Sequence, residues 1–163
     1  MTQRPTRFFM LAGAAMAANF VIMQFVARSE NGWLKGIGLG TLAMAIVLIA
    51  APFFTLPKYG RTEPGDSFYE TTQVVDRGVY ALVRHPQYLG YALLNVGLSA
   101  LNLSWTTAVL AILAFLFFYL QSVQEEKFCH QQMGAAYATY CQRVPRFNLL
   151  LGLFRTLSRK LAA

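Results

Sequence analysis

Charge is what this sequence has least of. Only 13% of its residues are Asp, Glu, Lys or Arg, about half the share of an ordinary soluble domain. None of them falls in the 39 positions from Pro86 to Gln124. Negative charge is scarcer still, seven acidic residues against fourteen basic ones. Glu63, Asp66, Glu70 and Asp76 are too dispersed to suggest a metal cage and read as solvated loop carboxylates. Cysteine occurs twice, as Cys129 and Cys141, at a spacing that fits neither a metal site nor a redox motif. On one unbroken helix the two sulfurs would be about 18 Å apart, too far for a disulfide. No Ser-His-Asp set, His-Cys cluster or carboxylate-histidine spacing is present, so neither nucleophilic nor metal-assisted catalysis is indicated. The one glycine loop, Gly36-Ile-Gly38-Leu-Gly40, follows no strand and lies inside an apolar run. Its spacing is that of tight helix packing in lipid, not of nucleotide binding.

What the chain does have is apolar length. Hydrophobic residues make up 56% of 163, and the mean hydropathy is +0.41. The fold expected is all-α, a single polytopic membrane domain over residues 1–163. Residues 8–27 and 36–57 are uncharged runs of the length a bilayer span requires. The 39-residue run overshoots one span and reads as two, 86–101 and 105–124, turning around Leu101-Asn102-Leu103-Ser104-Trp105 with Trp105 at the interface. Early small residues, Ala12 to Ala18, and the length of the first run argue for a retained helix over a signal peptide. Between Lys58 and Gly78 lies a polar loop broken by Gly60, Pro64 and Gly65, a candidate cap over a site.

The net charge of +7 is scattered at the ends of apolar runs and not interleaved along a polar segment, so lipid headgroups, not nucleic acid, are its expected partner. With four spans, twelve of the fourteen basic residues share one side, which the positive-inside rule places in the cytoplasm with both termini. In Phe147–Ala163, residues Leu150, Leu153, Phe154, Leu157 and Leu161 recur at helical spacing, and an amphipathic helix lying on the membrane is expected.

Polar chemistry concentrates at two places on that cytoplasmic side. Arg84 and His85 precede Pro86, whose fixed φ and missing N–H suit the first position of a helix. The exposed N–H groups and dipole of that helix mouth, with Arg84, favour an anion; the alternative is a plain basic membrane boundary. Glu125 and Glu126 close the fourth apolar run. A hairpin of the third and fourth spans returns them to the surface that holds Arg84. Adjacent carboxylates there mark either a polar pocket or a helix that has simply reached water. On a continuing helix Glu126, His130, Met133 and Tyr137 share a face, and His130 reads as solvated. Arg143 either folds back toward the glutamates or is a surface charge.

Three segments together resemble the isoprenylcysteine carboxyl methyltransferase and phospholipid methyltransferase superfamily of membrane-embedded enzymes. They are Gly78-Val-Tyr-Ala-Leu-Val-Arg-His-Pro-Gln-Tyr-Leu-Gly90, Glu125-Glu126, and Gly134-Ala-Ala-Tyr-Ala-Thr-Tyr-Cys-Gln-Arg-Val-Pro145. The resemblance covers about 76–147; Val79 stands where many relatives have proline. It implies S-adenosylmethionine as methyl donor without a Rossmann domain. It also implies a cofactor pocket shaped by Tyr80, Arg84, His85, Tyr88, Leu89, Gly90 and Glu125. Glu126 and Arg143 are implied near the reacting group as the catalytic residues, with Tyr137 and Tyr140 packing the substrate side. The activity expected is methyl transfer to a lipophilic acceptor, of the isoprenylcysteine carboxyl type. Phospholipid N-methylation is the nearest alternative, and a non-catalytic scaffold or small carrier the alternative of another class.

Overall fold

A computed structural model of the protein describes residues 6–60 and 73–161. The part of the polar loop that carries Glu63, Asp66 and Glu70 lies outside the described residues. The elements are α1 (Arg7–Ile22), α2 (Gly32–Tyr59), a 3-10 turn (Gly78–Ala81), α3 (Pro86–Leu101), α4 (Trp105–Arg143) and α5 (Leu149–Leu161). There is no strand among the described residues. Two helices, α2 and α4, are long and apolar enough to cross a membrane, and α1 is a shorter apolar helix.

Local chemistry explains where the helices depart from the uncharged runs. α1 stops at Ile22, five residues short of Ala27, in a tightened turn where the Gln24 and Phe25 N–H groups donate to the carbonyls three residues back. α2 starts at Gly32, four residues before the uncharged run that begins at 36, because Asn31 Oδ1 accepts from the N–H groups of Trp33 and Leu34. At the start of α4, Ser104 and Thr107 cap reciprocally: the Ser104 N–H donates to Thr107 Oγ1 and the Thr107 N–H to Ser104 Oγ. α3 occupies the expected residues, with Pro86 first.

The chain falls into two compact units, one combining Ala50–Gln87 with Ser122–Ala163, the other Gln3–Ile49 with Tyr88–Gln121. The second unit holds a core of Ala12, Ala92 and Phe118, on which Tyr88, Tyr91 and Phe117 pack. A polar staple crosses it. Asn19 of α1, 1% exposed, donates from Nδ2 to Asn95 Oδ1 (3.1 Å) and Ser99 Oγ (3.0 Å) of α3, and Ser99 Oγ donates to the Thr107 carbonyl of α4. In apolar surroundings such interhelical hydrogen bonds join helices that hydrophobic burial alone would not hold in register. The glycine run acts through its middle member. A Cβ on Gly38 would meet the Gly97 carbonyl and Leu101, whereas Gly36 and Gly40 face open space.

In the first unit α4 is broken. Gly134 has φ 54° and ψ −129°, a conformation open to glycine and strained for other residues. The 135–143 arm folds back along the 105–133 arm. His130 and Tyr137 rings meet edge-on with centroids 5.0 Å apart, and Cys141 Sγ comes within 3.9 Å of His130 Nε2. On an unbroken helix residues eleven apart would be separated by about 16 Å. The long cysteine separation, and the single face shared by Glu126, His130, Met133 and Tyr137, both assumed a continuous helix, and the break at Gly134 overturns that assumption. Cys129 and Cys141, both free thiols, instead pack against the same core of Tyr137, Tyr140 and Val144.

Gly134→Ala must adopt the same dihedrals with a Cβ, so a loss of about 1–3 kcal/mol is expected. Thermal melting in detergent should show a lowered midpoint.

Candidate active site

In the first unit three basic side chains converge on one carboxylate. Glu126 stands two positions beyond the uncharged run ending at Gln124, on the longer arm of α4, with a side chain only 7% exposed. Arg146 grips it with a fork: Nε donates to Oε1 at 2.9 Å and Nη2 to Oε2 at 2.6 Å. Arg84 Nη2 lies 3.3 Å and His85 Nε2 3.1 Å from Oε1. An ionised carboxylate only accepts, so the His85 tautomer in this contact carries its proton on Nε2.

The backbone brings these side chains together in steps. The 3-10 turn presents the Tyr80 carbonyl to the Tyr140 hydroxyl (2.8 Å) and the Ala81 carbonyl to the Thr156 hydroxyl (3.1 Å). The Arg84 N–H donates to the Pro145 carbonyl (3.0 Å), fixing the residues before α3 beside the turn that follows α4. The last helical hydrogen bond of that arm is Val144 N–H to Tyr140 O, and Pro145 then turns the chain so that Arg146 points at Glu126. α5 closes from the far side, capped by Asn148 Oδ1 on the Leu151 N–H. It approaches so closely at Gly152 that a Cβ there would lie 1.8 Å from the Leu82 carbonyl oxygen.

Electrostatics follow from the count. Burial alone would raise the Glu126 carboxyl, but the Arg146 fork, the His85 hydrogen bond and the charge of Arg84 outweigh it and bring it down to about 2. Two guanidinium groups, those of Arg84 and Arg146, face one buried carboxylate. Arg84 Nε is buried and has no hydrogen-bond partner among the described residues. A buried donor without an acceptor is costly, and an anionic ligand is the group that would satisfy it.

The other expected site residues make contacts of their own. The arginine that folds back onto Glu126 is Arg146. Arg143, expected near the reacting group, pairs with Asp76 across 3.3 Å at a half-exposed position. Its spacing concealed this, since Arg143 and Arg146 flank Val144-Pro145 and only the turn at Pro145 decides which one points inward. Tyr88, Leu89 and Gly90 belong to the second unit. There Tyr88 stacks on Phe118 (5.9 Å), Leu89 is buried, and Gly90 faces Ala45 and Ile49 of α2. Tyr137 and Tyr140, 5% and 3% exposed, form the core of the folded-back arm. Among the described residues no group of His, Cys, Asp and Glu is placed to hold a metal ion.

An all-helical chain with two membrane-length apolar helices and a buried cluster of Glu126, Arg84, His85 and Arg146 defines a class, the helical membrane protein with a buried polar site. Within that class the chain belongs to the phospholipid methyltransferase family, whose profile matches residues 33–136. The match includes Arg84, His85, Glu125 and Glu126 and ends before Arg146. Among curated relatives, the chain is 28% identical over 132 residues to protein-S-isoprenylcysteine O-methyltransferase B of Arabidopsis thaliana, a match covering 76% of the chain and 64% of that protein. Its A counterpart from the same plant is 27% identical over 124 residues, covering 76% and 63%. A nickel-cobalt-cadmium resistance protein, NccN, of Alcaligenes xylosoxydans xylosoxydans is 33% identical over 129 residues, covering 78% and 57%. The chain thus spans less than two thirds of each of these relatives.

The Glu126 cluster also sets a pH dependence. Its carboxyl titrates well below the ordinary 4.5, so its contribution to stability is complete above pH 4.5 and is lost as the pH falls toward about 2. Glu126→Gln leaves two buried guanidinium groups facing a neutral amide. A loss of about 3 kcal/mol at pH 7 is expected. Melting curves of the two proteins should converge as the pH falls from 4.5 toward 2.

Proposed function

We propose that this protein transfers a methyl group from S-adenosylmethionine to a lipophilic acceptor at the cytoplasmic face of a membrane that it crosses four times. The observation that carries the reading is the Glu126 cluster, in which a buried donor, Arg84 Nε, has no partner among the described residues. It fits a ligand ending in a carboxylate, and the motif that builds it lies within the family match. Arg84 and His85 would hold that end, with Tyr80 and Glu125 beside them as the family motif suggests. Bound there, S-adenosylmethionine supplies a methyl group already activated by its sulfonium.

The chain's own part is then alignment and exclusion of water. Arg146 and His85 hold Glu126, and Glu126 in turn orients Arg84, so it is better described as a positioning residue than as a base. A carboxylate brought down to about 2 and already forked by an arginine is a poor proton acceptor. An acceptor that needs no deprotonation suits this site better than a protonated amine does. That favours a carboxylate on a prenylated thioether, the class that the names of the two plant relatives specify for those proteins. The family's own description favours the second reading, methylation of a phospholipid amine headgroup.

Incubation of the detergent-purified protein with radiolabelled S-adenosylmethionine and either S-farnesylcysteine analogue or phosphatidylethanolamine separates the two. Label released by mild base as a volatile methanol is expected with the first substrate; label retained in a stable headgroup amine supports the second. No transfer to either overturns the proposal. Arg84→Ala is expected to weaken S-adenosylmethionine binding at least tenfold by calorimetry, since one charged hydrogen bond is worth about 1.5–3 kcal/mol.

A further inference from the structure

The first unit carries a cation-rich site that the Glu126 cluster does not use. Gln142, Arg143, Phe154, Arg155, Ser158 and Arg159 line a cleft of about 270 Å³ between the 135–143 arm and α5. Three of the six are arginines and none is acidic. Arg143 shares its charge with Asp76. The other two spend their hydrogen bonds on neutral oxygens: Arg155 Nη1 donates to the Gln142 carbonyl, Arg159 Nε to the Arg155 carbonyl and Arg159 Nη2 to Thr156 Oγ1. Neither has an ion pair among the described residues, so two positive charges beside the cleft are uncompensated.

The face of α5 next to this cleft is apolar and turned outward. Leu150 is 81% exposed and Phe154 69%, and Leu153, Leu157 and Leu161 are exposed with them. This row is not what seats the helix. α5 is held through Gly152, against the Leu82 carbonyl, and Thr156, bonded to the Ala81 carbonyl. Gly152 and Thr156 are one helical turn apart on the opposite side from the leucines. A helix fixed by one face with leucines exposed on the other, and arginines between, matches an acyl chain lying along the row and a phosphate in the cleft.

We infer that the Arg143–Arg155–Arg159 cleft is a binding site for the headgroup phosphate of an anionic phospholipid whose acyl chains lie along the exposed row of α5. Phe154 lines the cleft and also belongs to the row, so headgroup and chain positions are contiguous. The site is separate from the Glu126 cluster and does not depend on the methyl-transfer reading.

Native mass spectrometry of the detergent-purified full chain, titrated with phosphatidylglycerol, phosphatidylcholine or inorganic phosphate, tests it. One saturable phosphatidylglycerol adduct is expected, formed at lower lipid concentration than the phosphatidylcholine adduct and not displaced by millimolar inorganic phosphate. Arg155→Gln with Arg159→Gln should weaken it roughly thirtyfold, from the attraction of two basic residues to an anionic lipid. Arg155→Lys with Arg159→Lys should retain most of the affinity, which distinguishes charge recognition from a damaged helix. Equal binding of both lipids by the wild type, or unchanged phosphatidylglycerol binding in the glutamine pair, overturns the inference. Displacement by inorganic phosphate also overturns it, by making the cleft a site for a free anion.

Discussion

One carboxylate, buried and gripped by an arginine fork, draws the separate segments of the first unit together. Glu126 draws on Arg84 and His85 from before α3 and on Arg146 from beyond α4, three segments that no regular element joins. Each partner is oriented because the carboxylate is there. The Arg84 N–H on the Pro145 carbonyl and the Tyr140 hydroxyl on the Tyr80 carbonyl tie the same two stretches together, so the cluster is braced by neutral hydrogen bonds as well as by charge. A buried ion cluster of this kind is a weak source of stability and a strong source of geometry, since its desolvation cost is recovered only in one arrangement.

The second unit is built on different terms. Its helices meet through small residues and through the Asn19 staple, with aromatic rings filling the space around Ala12, Ala92 and Phe118. Large apolar side chains such as Phe20, Ile46 and Leu116 are left facing outward. That is the pattern expected where the surroundings are themselves apolar and where close backbone approach, not hydrophobic burial, selects the contacts.

How much of this the residues disclose in advance depends on how local the signal is. Pro86 after Arg84-His85 fixes where α3 begins, because proline's ring dictates its own position. The all-helical character follows from apolar runs too long for anything else. The start of α2 at its Asn31 cap and its continuation past Pro57 are not visible in the uncharged run 36–57, because charge marks where a helix leaves lipid and not where its hydrogen bonds begin or end. The choice of Arg146 over Arg143 as the partner of Glu126 could not be read at all, since the two flank Val144-Pro145 and only the turn there selects between them. Gly134 was visible as a glycine, but a positive φ is decided by what the two arms gain on folding back, which for Tyr137 and Tyr140 is burial against the rest of the unit.

The sequence positions of the cluster's members have a consequence for biosynthesis. Glu126 emerges with Arg84 and His85 already made, so a carboxylate entering apolar surroundings meets partial compensation at once, whereas its strongest partner, Arg146, follows twenty residues later. At ordinary rates of about 5–20 residues per second the carboxylate waits one to several seconds for the fork. Neutralisation is therefore staged by the order of synthesis, and the arginine fork forms only after α4 has been made.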